Sequence, residues 1–160
     1  VEEILRAIRE NEAIEVTYLS MSEPEGSQRK LTPHALVHDG NRWHVRAFCH
    51  KRNAFRDFSL SRIRHAECVG SDIERASMDS EWNNIVNVIL IAHPNLSIAR
   101  RCLIESDYSM ENGEVHVKCR QALLLYLLFQ LNLTEDQATQ RPEVIQLALK
   151  NRDEISALIS

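Results

Sequence analysis

The chain has 160 residues, 44% of them hydrophobic, and a net charge of −4. That is room for one domain or two small ones with a real core, and the charge balance argues against holding duplex DNA by an overall basic field. The four cysteines, at 49, 68, 102 and 119, are scattered without a C-x-x-C pair, which fits free thiols in a reducing cytosol and predicts a cytoplasmic protein; no apolar run reaches the ~18 residues of a membrane span.

Val1 to Arg9 places Val1, Ile4, Leu5 and Ile8 at helical spacing. The abrupt start inside this helix predicts a fragment of a longer protein, with residues 1–12 as a linker helix. Ala13 to Ser20 alternates and is rich in β-branched residues, so it reads as a strand. Ser22 to Ser27 is a loop by composition. Arg29 to Val37 is a second strand, with Pro33 marking a bend or an edge, and His38-Asp39-Gly40-Asn41 is a turn.

The stretch from Arg42 to Ile63 carries two β-rich runs around a polar break at His50 to Asn53, the pattern of a hairpin. Alternation puts Trp43, Val45, Ala47 and Cys49 on one face of the first run and His44, Arg46 and Phe48 on the other. In the second run Arg56, Phe58 and Leu60 fall together, against Phe55, Asp57 and Ser59. Each strand thus has an arginine on the same face as a phenylalanine. Such a pair can stack on a base and bind a phosphate oxygen; the plainer alternative is an arginine lying over its own neighbouring ring. With Ile63 to Val69 as a last strand, the short strands over residues 13–70 predict a small β-barrel.

Residues 71–81 are polar and read as a linker. From residue 82 to 160 the expectation is a small α+β module: a β-rich run at Trp82–His93, a helix over Ser97–Ser106 capped by Asn95 or Ser97, a strand at Glu114–Arg120, a Leu-rich helix at Gln121–Leu131 that is core or interface, and a helix over Pro142–Ile159 with its proline in the first turn. The fold class is therefore mixed β and α+β.

Trp43-His44-Val45 followed by Phe55-Arg56-Asp57-Phe58-Ser59-Leu60-Ser61-Arg62-Ile63 resembles the core signature of WYL domains, bacterial ligand-sensing modules named for a Trp-Tyr-Leu run. Ile14 to Ser20 and Arg29 to Val37 agree with that resemblance; His44 and Val45 depart from the naming triad. The His-Val-Arg-Ala-Phe-Cys form and the run Asp107 to Gly113 are similar to a branch of WYL transcription regulators encoded beside phage-defence systems. The resemblance implies an SH3- or Sm-like barrel, a C-terminal extension used in dimerisation, and a winged helix-turn-helix upstream that reads operator DNA.

Arg46 and Arg56 lead the candidates for anion binding: if their faces converge in the hairpin, two guanidinium groups suit a phosphodiester. Arg62 shares the parity of Arg56, with fixing the barrel as its alternative role. The family's cleft is lined by polar and basic residues in these segments, and carried over by position it adds Tyr18, Ser20, His34, His44 and Phe58. Tyr18 or Phe58 would stack a base, with core packing as the alternative; Ser20 and the histidines would bond a base edge or phosphate. A histidine beside a phosphate would make ligand affinity depend on pH.

No metal site and no cofactor is expected, because Pro33 and the Asp-Gly turn exclude a helix that would bring His34 and His38 together. Cys49 and His50 are sequence neighbours on opposite strand faces, and the G-x-S-x-G, Walker A and H-E-x-x-H patterns are absent from the sequence, so an enzyme is not expected. The leading reading is the sensing and dimerising part of a WYL repressor that binds a nucleotide or short single-stranded nucleic acid. The alternatives are a scaffold that only dimerises, or a nucleic-acid-binding accessory domain without transcriptional control.

Overall fold

The computed structural model describes residues 1–136 and 141–159. The chain divides into two compact units, 1–80 and 81–160; the expected module over 82–160 includes residues 137–140 and 160, which lie outside the described residues.

The first unit opens with α1 (Glu2–Glu10), which buries Ile4 and Ala7 and places Glu2 and Glu3 in its first turn and Arg9 in its last, each charge opposing the helix dipole. It stops at Asn11, which adopts the left-handed conformation at φ 52°. Five strands follow: β1 (Glu12–Tyr18), β2 (Ser27–His38), β3 (Trp43–Cys49), β4 (Ala54–Ser59) and β5 (Ile63–Ser71). They form one antiparallel sheet in the order β4-β3-β2-β1-β5, and α1 packs against β1, β2 and β5. Among the described residues the edge strands β4 and β5 do not pair, so the expected closed barrel is an open five-stranded sheet. Its core is Ile4, Ala7, Ile14, Val16, Leu31, Val45, Ala47, Cys49 and Phe58. The alternation in β3 is as the sequence requires: Val45, Ala47 and Cys49 are fully buried, and Trp43, at the strand's start, is exposed.

A bulge breaks the β2–β3 register between Pro33 and Ala35. Pro33 pairs with Ala47 on the core side; Ala35 pairs with Arg46 on the outer side; His34 is the extra residue. The bend expected at Pro33 is this bulge. A 3-10 turn (Leu60–Arg62) separates β4 from β5. It ends the strand alternation, so Arg62 does not continue the face of Arg56 as its parity suggested.

The expected linker does not hang free. Residues 72–79 run along the outer face of β2 and β3: the Thr32 hydroxyl donates to Asp72 at 2.6 Å, the Arg75 guanidinium lies 4.1 Å over the Phe48 ring, and Arg46 donates to Asp79 at 2.8 and 2.9 Å.

In the second unit, β6 (Ile85–Ala92), β7 (Glu114–Arg120) and β8 (Leu147–Leu149) form an antiparallel sheet in the order β7-β6-β8. The helices are α2 (Ser80–Asn83), which begins at the boundary, α3 (Ile98–Asp107), α4 (Leu124–Gln130), entered through a 3-10 turn at Gln121–Leu123, and α5 (Arg152–Ile159). Ser97 caps α3 as expected, its hydroxyl accepting from the Arg100 N–H. Val86, Val88, Leu90, Ala92, Ile104, Leu124, Leu128 and Ile155 belong to one core. The helix expected over Pro142–Ile159 is not continuous. Leu147, Ala148 and Leu149 instead pair with Ala92, Ile91 and Leu90, and the helix begins only at Arg152. Three consecutive buried apolar residues satisfy a short covered strand as well as a helix, and the open edge of β6 decides between them. Among the described residues no helix is long and apolar enough to cross a membrane.

Candidate ligand-binding cleft

The β3–β4 register places the two leading arginines. Arg46 pairs with Asp57, and Ala47 pairs with Arg56. Directly paired residues of an antiparallel ladder share a face, so Arg46 and Arg56 are on opposite faces of the hairpin. The expected convergence of the two guanidinium groups does not occur.

Arg56 opens onto a cleft of about 200 Å³ lined by Tyr18, Ser20, Ser22, Arg29, Cys49, Arg52, Arg56, Asp57 and Phe58. Four of the eight sequence candidates meet there: Tyr18, Ser20, Arg56 and Phe58. Phe58 is only 5% exposed and belongs to the core, its ring meeting Tyr18 edge-on at 5.1 Å between centroids. It shapes the floor and is not a stacking platform. Tyr18 is half-buried, and its hydroxyl accepts from the Ser59 N–H at 3.2 Å, which anchors the ring. The Ser20 hydroxyl accepts from the Glu23 N–H at 3.0 Å and lies 3.1 Å from the Ser22 hydroxyl. These bonds hold the loop between β1 and β2 as one wall of the cleft.

Three arginines reach this cleft, and their states differ. Arg29 is buried and committed, donating to Glu23 at 2.9 Å and to the Ser27 hydroxyl at 3.0 Å. Arg52 and Arg56 are exposed, and neither guanidinium has an ion-pair partner among the described residues. Two solvated guanidinium groups beside two serine hydroxyls supply the kind of donors that an anionic group requires. The volume is below the roughly 300–1,000 Å³ of a pocket that encloses a whole ligand. The cleft suits one phosphate or base of a ligand that continues along the rim.

The outer face holds the remaining candidates. Arg46 is 4% exposed and Asp79 1% exposed; Nε and Nη2 of Arg46 donate to the two Asp79 oxygens, and Nη1 donates to Asp57 at 3.3 Å. His34, aimed outward by the bulge, brings Nε2 to 2.9 Å from Asp79 and packs on the edge of Phe55. His44 Nε2 is 2.7 Å from Asp39, whose carboxyl is held well below its usual range by that bond and by the N–H groups of Arg42 and Asn41. Both histidines therefore face carboxylates and not the cleft, which leaves the expected histidine-driven pH dependence of ligand affinity without its geometry. Arg62 does not line the cleft; its carbonyl accepts from the Leu19 N–H at 3.0 Å, a structural role.

Sequence reasoning missed Ser22, Arg29, Arg52 and Asp57 as cleft residues and Asp79 as the partner of Arg46. Arg52 lies in the polar break of the hairpin, which carries no periodicity, and Asp79 lies in the stretch read as linker. Asp57 had a legible signal, its parity with Phe55 and Ser59, but its partner across the hairpin depends on the register.

Comparison with known proteins agrees with this division of the chain. A family profile described as "WYL domain" matches residues 1–68, and one described as "BrxR transcriptional regulator, C-terminal dimerization domain" matches residues 85–155. The chain is 69% identical over 156 residues to the DNA-binding transcriptional repressor CapW of Pseudomonas aeruginosa, covering 98% of this chain and 52% of that protein. It is 65% identical to the repressor of the same name from Escherichia coli (strain KTE188), over 99% of this chain and 53% of that protein. The corresponding protein of Stenotrophomonas maltophilia is 40% identical over 95% of this chain and 51% of its own length. The chain thus spans about half the length of the curated relatives it matches.

Proposed function

We propose, from the match of residues 1–68 to a WYL-domain profile and of residues 85–155 to a BrxR C-terminal dimerization-domain profile, that the chain is the sensing and dimerising part of a CapW-type transcriptional repressor. The repressor acts in the cytoplasm on an operator, through the DNA-reading head that WYL regulators carry upstream, and belongs to the kind encoded beside phage-defence systems. It is not an enzyme in this reading. Its effector is a nucleotide or short single-stranded nucleic acid held in the cleft of the first unit. A ligand bound more tightly by one arrangement of the repressor shifts the population toward it and so changes operator affinity.

The observation that carries the ligand reading is the pairing of Arg52 and Arg56, both exposed, with Tyr18, Ser20 and Ser22 around a single cleft. The arginines take phosphate oxygens, the serines bond an oxygen or base edge, and the exposed part of Tyr18 offers a ring face. The cavity's small size favours a ligand that runs along the rim, such as an oligonucleotide end, over a fully enclosed one.

Dimerisation is assigned to the second unit. In α4, Leu124 and Leu128 enter the core, while Leu125 and Phe129 are exposed at 42% and 61%. The Leu-rich helix is thus part core and part free face, and a homodimer covers that face in this reading.

Fluorescence anisotropy of labelled short single-stranded DNA and RNA tests the ligand assignment. Binding that weakens with salt, and weakens further in Arg56→Ala, supports it. Binding to no oligonucleotide and no nucleotide, with the dimer intact, leaves the scaffold reading in its place.

A further inference from the structure

Arg29 and Arg56 lie on the same face of the five-stranded sheet. Arg29 pairs with Val16 across β1 and β2, and Arg56 pairs with Ala47 across β3 and β4. Val16 and Ala47 both belong to the core of the first unit. Paired residues share a face, so both arginines project on the core side, and both line the cleft. The partner that the sequence suggested for Arg56 in Arg46 is, by face and by cleft, Arg29.

Arg29 already holds an anion. Its Nη2 donates to Oε2 of Glu23 at 2.9 Å, and its Nε donates to the Ser27 hydroxyl at 3.0 Å. That hydroxyl in turn bonds the Glu23 carboxylate. The Glu23 carboxyl lies below its usual range, chiefly through Ser27 and further through Arg29 and Lys51, against a partial desolvation. A guanidinium fork, a hydroxyl and a nearby ammonium make a seat for an oxyanion, and a side chain of the protein itself fills it.

The two partners are unequally committed. The Arg29 side chain is 9% exposed and that of Glu23 41%. An ion pair with one partner largely in water is weakly held, whereas a buried cation left without its anion is strongly unfavourable. Glu23 therefore leaves readily, but only in exchange for another anion. The loop need not open for this. The Glu23 carbonyl accepts from the N–H groups of Ser20 and Gly26 at 3.1 and 3.0 Å, and the Glu23 N–H donates to the Ser20 hydroxyl. The backbone stays in place while the side chain swings outward.

We propose that Glu23 is a resident stand-in for the ligand: a phosphate entering the cleft displaces its carboxylate from Arg29, which becomes a direct ligand contact beside Arg52 and Arg56. The proposal rests on the cleft's being the ligand site. It gives that site a charge filter. A neutral nucleoside offers Arg29 no anion and leaves Glu23 seated; a phosphate oxygen takes the donors that Glu23 gives up. Affinity in the free protein is then reduced by the fraction of molecules in which Glu23 occupies the seat.

Fluorescence anisotropy of a labelled short single-stranded DNA oligomer tests this on wild type, Glu23→Gln, Glu25→Gln and Arg56→Ala, with circular dichroism to check that each is folded. Glu25 is an exposed carboxylate of the same loop, so its variant removes the same charge without touching the Arg29 pair. Glu23→Gln should bind about tenfold more tightly than wild type, as expected when a seat filled about nine-tenths of the time is opened. Glu25→Gln, whose charge is screened by solvent, should stay within about twofold of wild type. On an Arg29→Met background, Glu23→Gln should bring no gain, which ties the effect to the pair; if Arg29→Met does not fold, the comparison of Glu23→Gln with Glu25→Gln decides alone. Unchanged affinity in Glu23→Gln, or an equal gain in Glu25→Gln, overturns the proposal, while weaker binding in Arg56→Ala keeps the cleft as the ligand site. Binding to neither wild type nor Glu23→Gln overturns the cleft reading and this proposal with it.

Discussion

Arg46 and Arg56 lie on opposite faces of one hairpin, because Arg46 pairs with Asp57 and Arg56 pairs with Ala47. One is 4% exposed and fixed between two carboxylates; the other is solvated at the cleft. Two arginines of similar sequence setting therefore do different work, and substituting them should give different phenotypes.

Removing the buried arginine should unfold the first unit more easily. Arg46→Ala leaves Asp79 buried without its cation, and breaking a buried pair from one side costs about 3–5 kcal/mol. Urea denaturation of the variant should show a loss of that order. A loss below about 1 kcal/mol would mean that the pair contributes no more than an exposed one.

Acid should loosen the segment 72–79 where Asp72 holds it to β2. Burial opposes the charge on Asp72, but the bonds from Thr32, Arg75 and the Ile73 N–H outweigh it and lower its pKa to about 2. A carboxylate whose pKa is lower folded than unfolded stabilises the fold above the unfolded value, near 3.9. That contribution fades as pH falls from there toward about 2. Stability measured between pH 5 and pH 2.5 should therefore fall less steeply in Asp72→Asn than in wild type. Parallel profiles would contradict the assignment.

The cleft wall depends on Gly26. Its φ is +101°, and a Cβ there would come within 2.7 Å of the Thr17 methyl, which nothing but glycine avoids without a shift. Gly26→Ala should cost about 1–3 kcal/mol by thermal unfolding. It should also weaken ligand binding, because the displaced loop carries Ser20 and Ser22. A neutral substitution would show that the loop adjusts at no cost.

Dimerisation should respond to the free face of α4. Phe129→Glu places a charge where an exposed ring stood, and truncating a central interface aromatic commonly costs about 2 kcal/mol or more, roughly a thirtyfold weaker dimer. Sedimentation equilibrium reads this directly. A dimer of unchanged strength would move the interface to another face of the second unit.

Much of the architecture is legible from residues. The alternation of Val45, Ala47 and Cys49, the turn at His38–Asn41 and the Ser97 cap are all local signals, and local physics is enough to place them. What is not legible depends on pairing across distance. The bulge at His34 reverses the face of β2 after Pro33, and only the register reveals that Ala35, not Pro33, shares the face of Arg46. Leu147–Leu149 becomes a strand because β6 offers an edge, which no window around residue 148 contains. The site is divided in the same way. Tyr18, Ser20 and Phe58 follow from position in a known signature, and Arg56 from sharing a strand face with Phe58. Arg52 and Asp79 sit in stretches without periodicity, and their roles follow from where the sheet brings them.

The central claim is that Arg52 and Arg56 hold a nucleotide-type anion, and thermal unfolding tests it most directly. Wild type and the Arg52→Ala, Arg56→Ala double variant are melted against cyclic nucleotides, linear dinucleotides and short DNA and RNA oligomers. Both side chains are exposed, so the unliganded variant should melt as wild type does. A ligand at a hundred times its dissociation constant adds ~2.7 kcal/mol, a rise of roughly 5–10 °C for a chain of this size. The account predicts that rise in wild type and its loss in the variant. An equal rise in both proteins, or none in either across the whole panel, would contradict it.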